Sequence, residues 1–296
     1  MYDLIIIGMG IGGITAGIYA KRANLNILLI DKGAPGGMLN NIEQISNYPG
    51  LINIKGAEFS EKLFEQIKDL KIEYKFEEVT ELKLEAEAKK VITNRGEYLT
   101  NNVIIATGTK PKYLGLDNEK DLLGRGISTC ATCDGAFYRD KEVAVVGSGN
   151  SALQESLYLA NICSKVYLLN RKNGFKGEEL LIDKVKNNSK IEIIYGVNIK
   201  EYNEIDNKIE SVLLDNGDKL KVSGVFIYIG YKPNTDIFKN LNITNIDGHI
   251  IVDENYETNI EGVYAIGDVI KKDIYQLVGA ANDAIYAVSN ISKINN

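Results

Sequence analysis

Hydrophobic and polar residues follow the same order in two stretches of the chain, residues 2–31 and 141–170. Each stretch begins with a short apolar run rich in β-branched residues, which predicts a buried parallel strand. A glycine-rich turn, an amphipathic helical stretch and a second apolar strand follow in both. The repeated pattern predicts two β-α-β units and therefore an α/β fold.

The glycine-rich turns of the two stretches align at one constant offset along the chain. Three positions correspond: Gly8 with Gly147, Gly10 with Gly149, and Gly13 with Ala152. In a dinucleotide-binding turn the first glycine makes the tight bend, and the second lets the backbone approach a pyrophosphate. The small third residue allows close packing of helix on strand. The N–H groups at the start of the helix then face the phosphates, so both units are predicted to bind dinucleotides.

The residue that ends the second strand differs between the two units. Asp31 ends the first, where a carboxylate can accept hydrogen bonds from a ribose diol. The second has the uncharged Asn170, followed by Arg171, Lys172 and Lys176. A carboxylate would repel a 2′-phosphate, whereas cations would bind one. We therefore expect FAD or NAD at the first unit and NADPH at the second; a solvated surface cluster is the alternative for the cations.

A pair of cysteines lies between the two units. Two residues separate Cys130 from Cys133, and Asp134 follows directly. Such a pair is typical of a reversible redox couple, since a thiolate at the start of a helix is stabilised by the helix dipole. Half of a zinc site is the alternative, but the chain has no second such pair and its one histidine, His249, is distant in sequence. Cys163, in the predicted helix LANICSKV, is expected to be a buried hydrophobe.

Composition narrows the class of protein. A chain of 296 residues suits two modest domains, and 45% hydrophobic with 25% charged residues excludes a disordered or fibrous protein. The net charge of −6 argues against nucleic-acid binding and against attraction to a membrane surface. Three cysteines and one histidine are too few for a disulfide scaffold, a His-rich metal site or a Ser–His–Asp hydrolase.

The uncharged stretch 4–20 is rich in glycine and follows an aspartate. It therefore predicts a strand and a turn instead of a membrane span or a signal peptide, and we expect a cytoplasmic protein.

A series of motifs in order along the chain resembles the low-molecular-weight bacterial thioredoxin reductases, class II pyridine nucleotide-disulfide oxidoreductases. The motifs are GMGIGG at 8–13, DKGAPGGM at 31–38 with NYPG at 47–50, IIATGT at 104–109, CATCDG at 130–135, GSGNSALQE at 147–155, IGYKPNT at 229–235, GVYAIGDV at 262–269 and YQLVGAA at 275–281. The resemblance implies two Rossmann-like domains of the three-layer ββα type. A discontinuous FAD-binding domain (1–112 and 243–296) would contain an inserted, rotating NAD(P)H-binding domain (113–242) that carries the cysteine pair.

The resemblance also implies the site residues. Non-covalent FAD would contact Gly8, Gly10, Gly13, Asp31, Lys32, Gly36, Gly37, Met38, Asn47, Thr107, Gly108, Gly267, Asp268, Val269, Tyr275 and Gln276. NADPH would contact Gly147, Gly149, Asn150, Ser151, Ala152, Arg171, Lys172 and Lys176. A close approach of the backbone is the expected reason for the glycine at position 108.

The same resemblance assigns roles to the cysteine pair. Cys133 would be the thiol on the flavin side, and Cys130 would attack the disulfide of thioredoxin. Asp134 would handle the proton, with an ordinary carboxylate at a helix N-terminus as its alternative. A homodimer is a further expectation from the family.

Three departures from the family pattern bear on these expectations. NRKNGFK at 170–176 stands where the family has HRRxxxR, so two arginines have become lysines and forked phosphate geometry is lost. Met38 replaces a glutamine near the flavin, and Asp283 with Ala284 replaces a smaller, glycine-bearing run. Both changes leave an FAD site plausible and alter its contacts.

Other functions remain open at the level of sequence. One is a ferredoxin-dependent flavin thioredoxin reductase, in which the second glycine turn would be a relic. Retention of GSGNSA together with three cations favours NADPH over that alternative. A dithiol oxidase and a flavin-loaded redox sensor without enzymatic activity are further alternatives.

Overall fold

The computed structural model describes residues 1–42, 45, 47–84 and 88–294. The chain divides into two compact units, the first formed by Met1–Lys110 with Lys232–Asn296 and the second by Pro111–Tyr231. The helices are α1 (Ile11–Arg22), α2 (Gly56–Asp69), α3 (Ala131–Asp134), α4 (Asn150–Ala160), α5 (Glu179–Lys186) and α6 (Leu277–Ile294). Short 3-10 helices cover Gly37–Asn41, Gly135–Tyr138, Asp236–Leu241 and Gly267–Val269.

Strands alternate with these helices in the early part of each unit, and runs of consecutive strands follow. They are β1 (Tyr2–Ile7), β2 (Ile27–Asp31), β3 (Glu73–Phe76), β4 (Val79–Lys83), β5 (Lys89–Thr93), β6 (Glu97–Ile105), β7 (Thr109–Pro111), β8 (Ile127–Ser128), β9 (Glu142–Gly147), β10 (Lys165–Asn170), β11 (Ile191–Tyr195), β12 (Ile199–Ile205), β13 (Lys208–Leu214), β14 (Lys219–Lys221), β15 (Gly224–Tyr228), β16 (Tyr231–Pro233) and β17 (Val263–Ala265). In the described residues, no helix is long and apolar enough to cross a membrane.

The first unit is built on a sheet in the order β3-β2-β1-β6-β5-β4, with β17 also paired to β6. Strands β3, β2, β1, β6 and β17 run parallel, and β4 and β5 join them in antiparallel pairing. Parallel pairing of β1 with β2 requires the crossover that α1 provides. The predicted β-α-β unit at residues 2–31 is therefore confirmed.

Alternate residues of β1 face opposite sides of this sheet, as the period of a strand requires. Leu4 and Ile6 pack in a cluster with residues of α1, α2 and α6. Ile5 and Ile7 pack in a second cluster with β4, β5 and the 3-10 helix Asp236–Leu241. The parallel sheet is thus buried on both faces, which explains the continuous apolar run in the sequence.

The second unit repeats this plan. Its parallel sheet has the order β11-β10-β9-β15-β8, and β12, β13 and β14 form an antiparallel sheet. Val143 and Val145 of β9 pack with residues of α4, whereas Ala144 and Val146 pack with residues of β12 and β13. Helices, parallel sheet and antiparallel sheet give the expected ββα layers, and the predicted unit at residues 141–170 is confirmed.

The chain passes between the units through β7 and β16, which pair with each other. The compact units divide at 110/111 and 231/232, whereas the sequence placed the seams at 112/113 and 242/243. The larger difference has a physical cause: Phe238, which is fully buried, belongs to the core of the first unit. The Lys110 side chain also pairs with Asp236. Residues 43, 44, 46, 85–87, 295 and 296 of the predicted FAD-binding domain lie outside the described residues.

Candidate functional site

The first glycine turn lies between β1 and α1 and leaves no room for a side chain at its first and third glycines. Gly8 has a positive φ of +108°, and a Cβ there would overlap the carbonyl of Ala106 on the neighbouring segment. A Cβ on Gly13 would overlap the carbonyl of Gly8. The first turn of α1 consists of apolar residues and glycine, so its N–H groups face no carboxylate of their own turn. This arrangement suits a pyrophosphate.

Asp31 and Gly36 hold this turn from the next segment. The Oδ2 atom of Asp31 accepts the N–H of Met9 at 2.6 Å, and Oδ1 accepts the N–H of Gly33 at 2.9 Å. Gly36 forms a bridge with Gly10 and donates its N–H to the carbonyl of Met9 at 2.7 Å. The structure thus brings the predicted carboxylate and the paired glycines to the turn.

Other predicted residues of this segment have different surroundings. The Lys32 ammonium forms an exposed ion pair with Glu78 at 3.0 Å, so the structure directs it to that carboxylate. Met38 is half-buried, and its sulfur accepts a long hydrogen bond of 4.0 Å from Asn41. Gly37 lies beside Gly10, whose Cα would be 3.6 Å from an added Cβ.

The end of β6 forms a second wall. The Thr107 hydroxyl donates to the carbonyl of Asn234 at 2.9 Å, and the Asn234 N–H donates to the carbonyl of Gly108 at 2.9 Å. Gly108 has a φ of +61°, and no described atom lies within 4 Å of the place a Cβ would take. The left-handed backbone, and not crowding by another part of this chain, accounts for the glycine.

The turn at Gly267–Val269 forms a third wall. Gly267 has a φ of +76° and donates its N–H to Oδ2 of Asp283 at 3.0 Å. Lys272 donates to the same oxygen at 2.5 Å. Asp283, a departure from the family pattern, is therefore a buried support of this turn. Val269 is fully buried in the core, which leaves its backbone for any contact with a ligand.

The carboxyl of Asp268 has a raised pKa, which is a common feature of binding sites. Burial raises the pKa of its carboxyl, and the nearby charge of Asp283 raises it further, while Lys272 acts in the opposite direction. The first turn of α1 reaches the same segment: a Cβ added to Gly12 would lie 3.6 Å from Cδ1 of Ile266. Glycine turn, helix N-terminus and buried carboxylate thus meet in one place.

The start of α6 brings two predicted residues together across the sequence. The Asn47 amide donates to the Gln276 side-chain oxygen at 3.0 Å, and both side chains are exposed. Tyr275 instead faces His249, with 3.2 Å between the phenol oxygen and Nε2. The combination of a bare glycine turn, an uncapped helix start, Asp31 and the buried Asp268 fits FAD.

The second glycine turn lies between β9 and α4. Gly147 has a φ of +155°, and a Cβ there would overlap the carbonyl of Tyr228. The methyl of Ala152 would lie 2.8 Å from that Cβ, so this turn accepts alanine at the third position only because the first is glycine. The first turn of α4 is uncharged and includes the exposed Ser151.

The loop after β10 that carries Arg171, Lys172 and Lys176, here called the cationic loop, is attached to this second turn by its backbone. The N–H of Lys176 donates to the carbonyl of Ser148 at 2.8 Å. The buried Asn170 shapes the loop: its amide donates to the carbonyl of Gly174 at 2.9 Å, and its oxygen accepts the N–H of Lys172 at 3.0 Å. Arg171, Lys172 and Lys176 are exposed. Within the described ranges none of them forms an ion pair.

Asn150, a predicted contact of NADPH, is hydrogen-bonded to Glu178. Its oxygen accepts the N–H of Glu178 at 2.7 Å, and its amide donates to the Glu178 carboxylate at 3.0 Å. The side chain therefore fastens the cationic loop to the start of α4. The free cations beside an uncapped helix start fit the phosphates of NADPH.

Cys130 and Cys133 form a disulfide bond around the start of α3, with 5.4 Å between their Cα atoms. The Cys133 N–H donates to Sγ of Cys130 at 3.2 Å, and the Cys130 N–H donates to the Ser128 hydroxyl at 3.0 Å. Cys133 is the exposed residue of the pair, whereas Cys130 is half-buried. Asp134 is half-buried; burial raises the pKa of the nearby Tyr138 phenol, and the charge of Asp134 raises it further.

The third cysteine is separate from this chemistry. Cys163 is fully buried, and burial raises the pKa of its thiol to about 11. The prediction of a buried hydrophobe is confirmed, although α4 ends at Ala160 and the residue lies in the following turn.

Tyr228 was not identified from the sequence. Its hydroxyl oxygen accepts the N–H of Ala131 at 2.7 Å, directly beside Cys130. The pair is separated by 97 positions along the chain, so only its place at the end of a strand next to IGYKPNT offered a signal.

Comparison with known proteins gives one consistent result. Residues 2–284 match the family model described as pyridine nucleotide-disulphide oxidoreductase. The chain is 40% identical to the thioredoxin reductase of Bacillus subtilis, over 98% of this chain and 94% of that protein. The structure of Lactococcus lactis thioredoxin reductase matches with a TM-score of 0.94 at 36% identity, over 99% of this chain and 98% of that one. A ferredoxin-flavin thioredoxin reductase of Clostridium acetobutylicum matches at 31% identity with a TM-score of 0.55, over 99% and 98% of the two chains.

Proposed function

The chain belongs to the pyridine nucleotide-disulphide oxidoreductase family, and we propose that it is an NADPH-dependent flavoprotein that reduces the disulfide of thioredoxin. One observation carries the proposal: the Cys130–Cys133 disulfide and the glycine turn with its attached cationic loop belong to the same unit. A dithiol and a site for a phosphorylated nucleotide are the two ends of an electron path from NADPH to a protein disulfide.

The first unit would hold FAD. The pyrophosphate would lie on the N–H groups at the start of α1, and Asp31 would accept from the ribose hydroxyls. The turn at Asp268 and the Asn47–Gln276 pair would bound the rest of the molecule. FAD supplies the two-electron chemistry that accepts hydride from NADPH and passes the electrons to the disulfide.

The second unit would hold NADPH. Its pyrophosphate would lie at the start of α4, and the 2′-phosphate would meet Arg171, Lys172 and Lys176. Since the Lys176 backbone is bonded to Ser148, the cations and the glycine turn are fixed with respect to each other. This connection supports NADPH over the reduced ferredoxin that a relic site would imply.

The thiol chemistry that we propose takes the roles of the two cysteines from the family resemblance. In the reduced protein, the Cys130 thiolate attacks one sulfur of the thioredoxin disulfide, which breaks that bond and releases one thioredoxin thiolate. The Cys133 thiolate then attacks Sγ of Cys130, which restores the disulfide and releases the second thioredoxin thiolate. The two released thiolates take up two protons, and Asp134 is the adjacent group that would transfer one of them. The Cys133 N–H, which donates to Sγ of Cys130 in the disulfide form, would stabilise the Cys130 thiolate.

Two further features belong to the proposal. We infer a homodimer, because α6 exposes the apolar side chains of Val278, Ile285 and Tyr286 along one stripe, with Tyr19 of α1 also exposed. Light scattering would give twice the mass of 32.7 kDa. A reducing cytoplasm is the proposed compartment, since the dithiol must be regenerated there.

The first experiment is an anaerobic titration of the oxidised yellow protein. One equivalent of NADPH should bleach the flavin absorbance, and NADH should do so more slowly. Bleaching by reduced ferredoxin alone would assign the other electron donor and make the second turn a relic. The Cys130→Ser variant should still be bleached by NADPH but should fail to reduce thioredoxin.

Turnover is then measured with thioredoxin in air. Oxygen consumption with dithiols, in place of thioredoxin reduction, would indicate a dithiol oxidase. Thioredoxin turnover that survives Cys130→Ser would exclude the dithiol mechanism altogether.

A further inference from the structure

The redox helix α3 is too short to hold its own geometry. It spans Ala131–Asp134, and its backbone bonds are those from the Asp134 N–H to the Cys130 carbonyl at 3.1 Å and from the Gly135 N–H to the Ala131 carbonyl. A single turn of helix is unstable in isolation, because few hydrogen bonds offset the cost of fixing the backbone. Contacts from elsewhere must therefore fix the turn that contains both cysteines.

Tyr228 supplies such a contact. Its hydroxyl oxygen accepts the N–H of Ala131 at 2.7 Å, and Ala131 itself is fully buried. This N–H belongs to the first position of the helix, where no carbonyl of the helix can accept it. Without the phenol, a buried donor would lack its acceptor.

The phenol is held by the parallel sheet of the second unit. Tyr228 ends β15 and is in register with Gly147 of β9. Its carbonyl packs against the Cα of Gly147 so closely that a Cβ there would overlap it. One residue therefore contacts both the nucleotide turn, through its backbone, and the redox helix, through its side chain.

We propose that Tyr228 is a positioning residue for the attacking thiol: by holding the Ala131 N–H, it fixes the turn in which the Cys133 N–H reaches Sγ of Cys130. The assignment of Cys130 as attacker rests on the proposed function. In the disulfide form the donor lies 3.2 Å from the sulfur, and in the reduced form the same donation would stabilise the thiolate. With the turn released, the Ala131 N–H moves toward water and the donation to sulfur is lost.

Tyr228 contributes no charge to this arrangement. Burial raises the pKa of its phenol, and the Glu155 carboxylate raises it further, so the phenol stays neutral at physiological pH. Other titratable groups near the turn are Asp134 on α3, Tyr138 after it and Tyr231 on β16. These groups are unchanged in the variants below, so a difference between variants reports the phenol.

The test measures the pKa of Cys130 in the holoenzyme. Cys133→Ser, which keeps the backbone N–H, isolates Cys130, and the rate of alkylation by iodoacetamide is followed against pH. Adding Tyr228→Phe should raise the pKa of Cys130 by about 1, and so lower the alkylation rate about tenfold below that pKa.

Tyr202→Phe is the matched control. Tyr202 is a buried tyrosine of the same unit whose hydroxyl donates to Glu119 at 2.8 Å. Loss of the Tyr202 hydroxyl removes one buried hydrogen bond and should leave the pKa of Cys130 unchanged. An unchanged pKa in Tyr228→Phe, or an equal shift in both variants, would overturn the proposal.

A second measurement covers the case in which Tyr228→Phe does not fold. In the wild-type protein the Ala131 amide should exchange slowly with deuterium, and exchange at the rate of an open chain would also refute the proposal. Neither measurement requires thioredoxin or a nucleotide. Failure of thioredoxin turnover in the wild type would therefore count against the proposed function alone.

Discussion

Substitution of Gly13 by alanine tests the reason for the first glycine turn. The new Cβ would overlap the carbonyl of Gly8. Gly8 cannot move away, because its N–H is bonded to the carbonyl of Ile30 at 2.7 Å and its Cα is pressed against the Ala106 carbonyl. The position of the new Cβ is set by the backbone and its partner is a backbone carbonyl, so no rotation of a side chain relieves the clash.

The cost of such overpacking is about 1–3 kcal/mol in the free energy of unfolding. Because the strained atoms form the turn proposed to hold the FAD pyrophosphate, distortion of the turn should also weaken FAD binding. Each 1.4 kcal/mol corresponds to about a tenfold change in the dissociation constant. We expect FAD affinity to fall about tenfold or more.

The assay combines urea unfolding with titration of the apoprotein by FAD, followed by flavin fluorescence. Ala152→Gly is the control, since it changes the same motif position in the second unit. It should cost about 1 kcal/mol from the glycine in a helix and leave FAD affinity unchanged. If Gly13→Ala had the stability and the FAD affinity of the wild-type protein, the steric explanation would be refuted.

Three further predictions concern single groups. In native reduced protein, iodoacetamide at pH 8 should leave Cys163 unmodified, because burial raises its pKa to about 11, whereas in urea mass spectrometry should find it alkylated. Asp268→Asn should stabilise the apoprotein to urea near neutral pH while weakening FAD binding. The pKa of Asp268 is higher in the folded state than in the unfolded state, so its ionised form opposes folding above the unfolded pKa, and the advantage should disappear as the pH falls below that value. Lys172→Ala with Lys176→Ala should raise the KM for NADPH about three- to tenfold, in steady-state assays, and leave the KM for NADH unchanged.

The lysine prediction has a matched control variant, and the Asp268 and Cys163 predictions each have a result that would contradict them. Lys219→Ala with Lys221→Ala removes two exposed lysines from β14 of the same unit, and an equal loss of NADPH affinity there would indicate a general charge effect. A stability gain for Asp268→Asn that persists under acidic conditions would show that charge burial is not its cause. Native labelling of Cys163 would show that the second unit opens in solution.

The glycine turns were predictable because their reasons are local. Gly8 and Gly147 each have a positive φ where a strand ends. The sequence shows this as a glycine at a fixed place between an apolar run and a helical stretch. The long apolar runs of β1 and β9 likewise follow from burial on both faces of a parallel sheet.

Contacts between distant segments were beyond the same reasoning. Lys32 follows Asp31 in the motif, yet its ammonium pairs with Glu78, and nothing in either neighbourhood signals the pairing. The domain boundary shows the same limit: the turn-rich segment 241–248 suggested a seam at 242/243, but the burial of Phe238 places residues 232–242 with the first unit. The Tyr228 contact joins the end of β15 to Ala131 at the start of α3, and only the place of Tyr228 at the end of a strand offered a signal for it.

The interrupted course of the first unit has a consequence for synthesis on the ribosome. The second unit, Pro111–Tyr231, is complete while β17 and α6 have not yet been made. Domains fold as units while the chain grows from its N-terminus. Here the first unit cannot complete its core until α6 is made, because the face of α1 that packs with Ala284 and Ile291 is uncovered until then. The inserted unit can therefore fold first, and the nascent first unit is the stage at which a chaperone would find an exposed apolar surface.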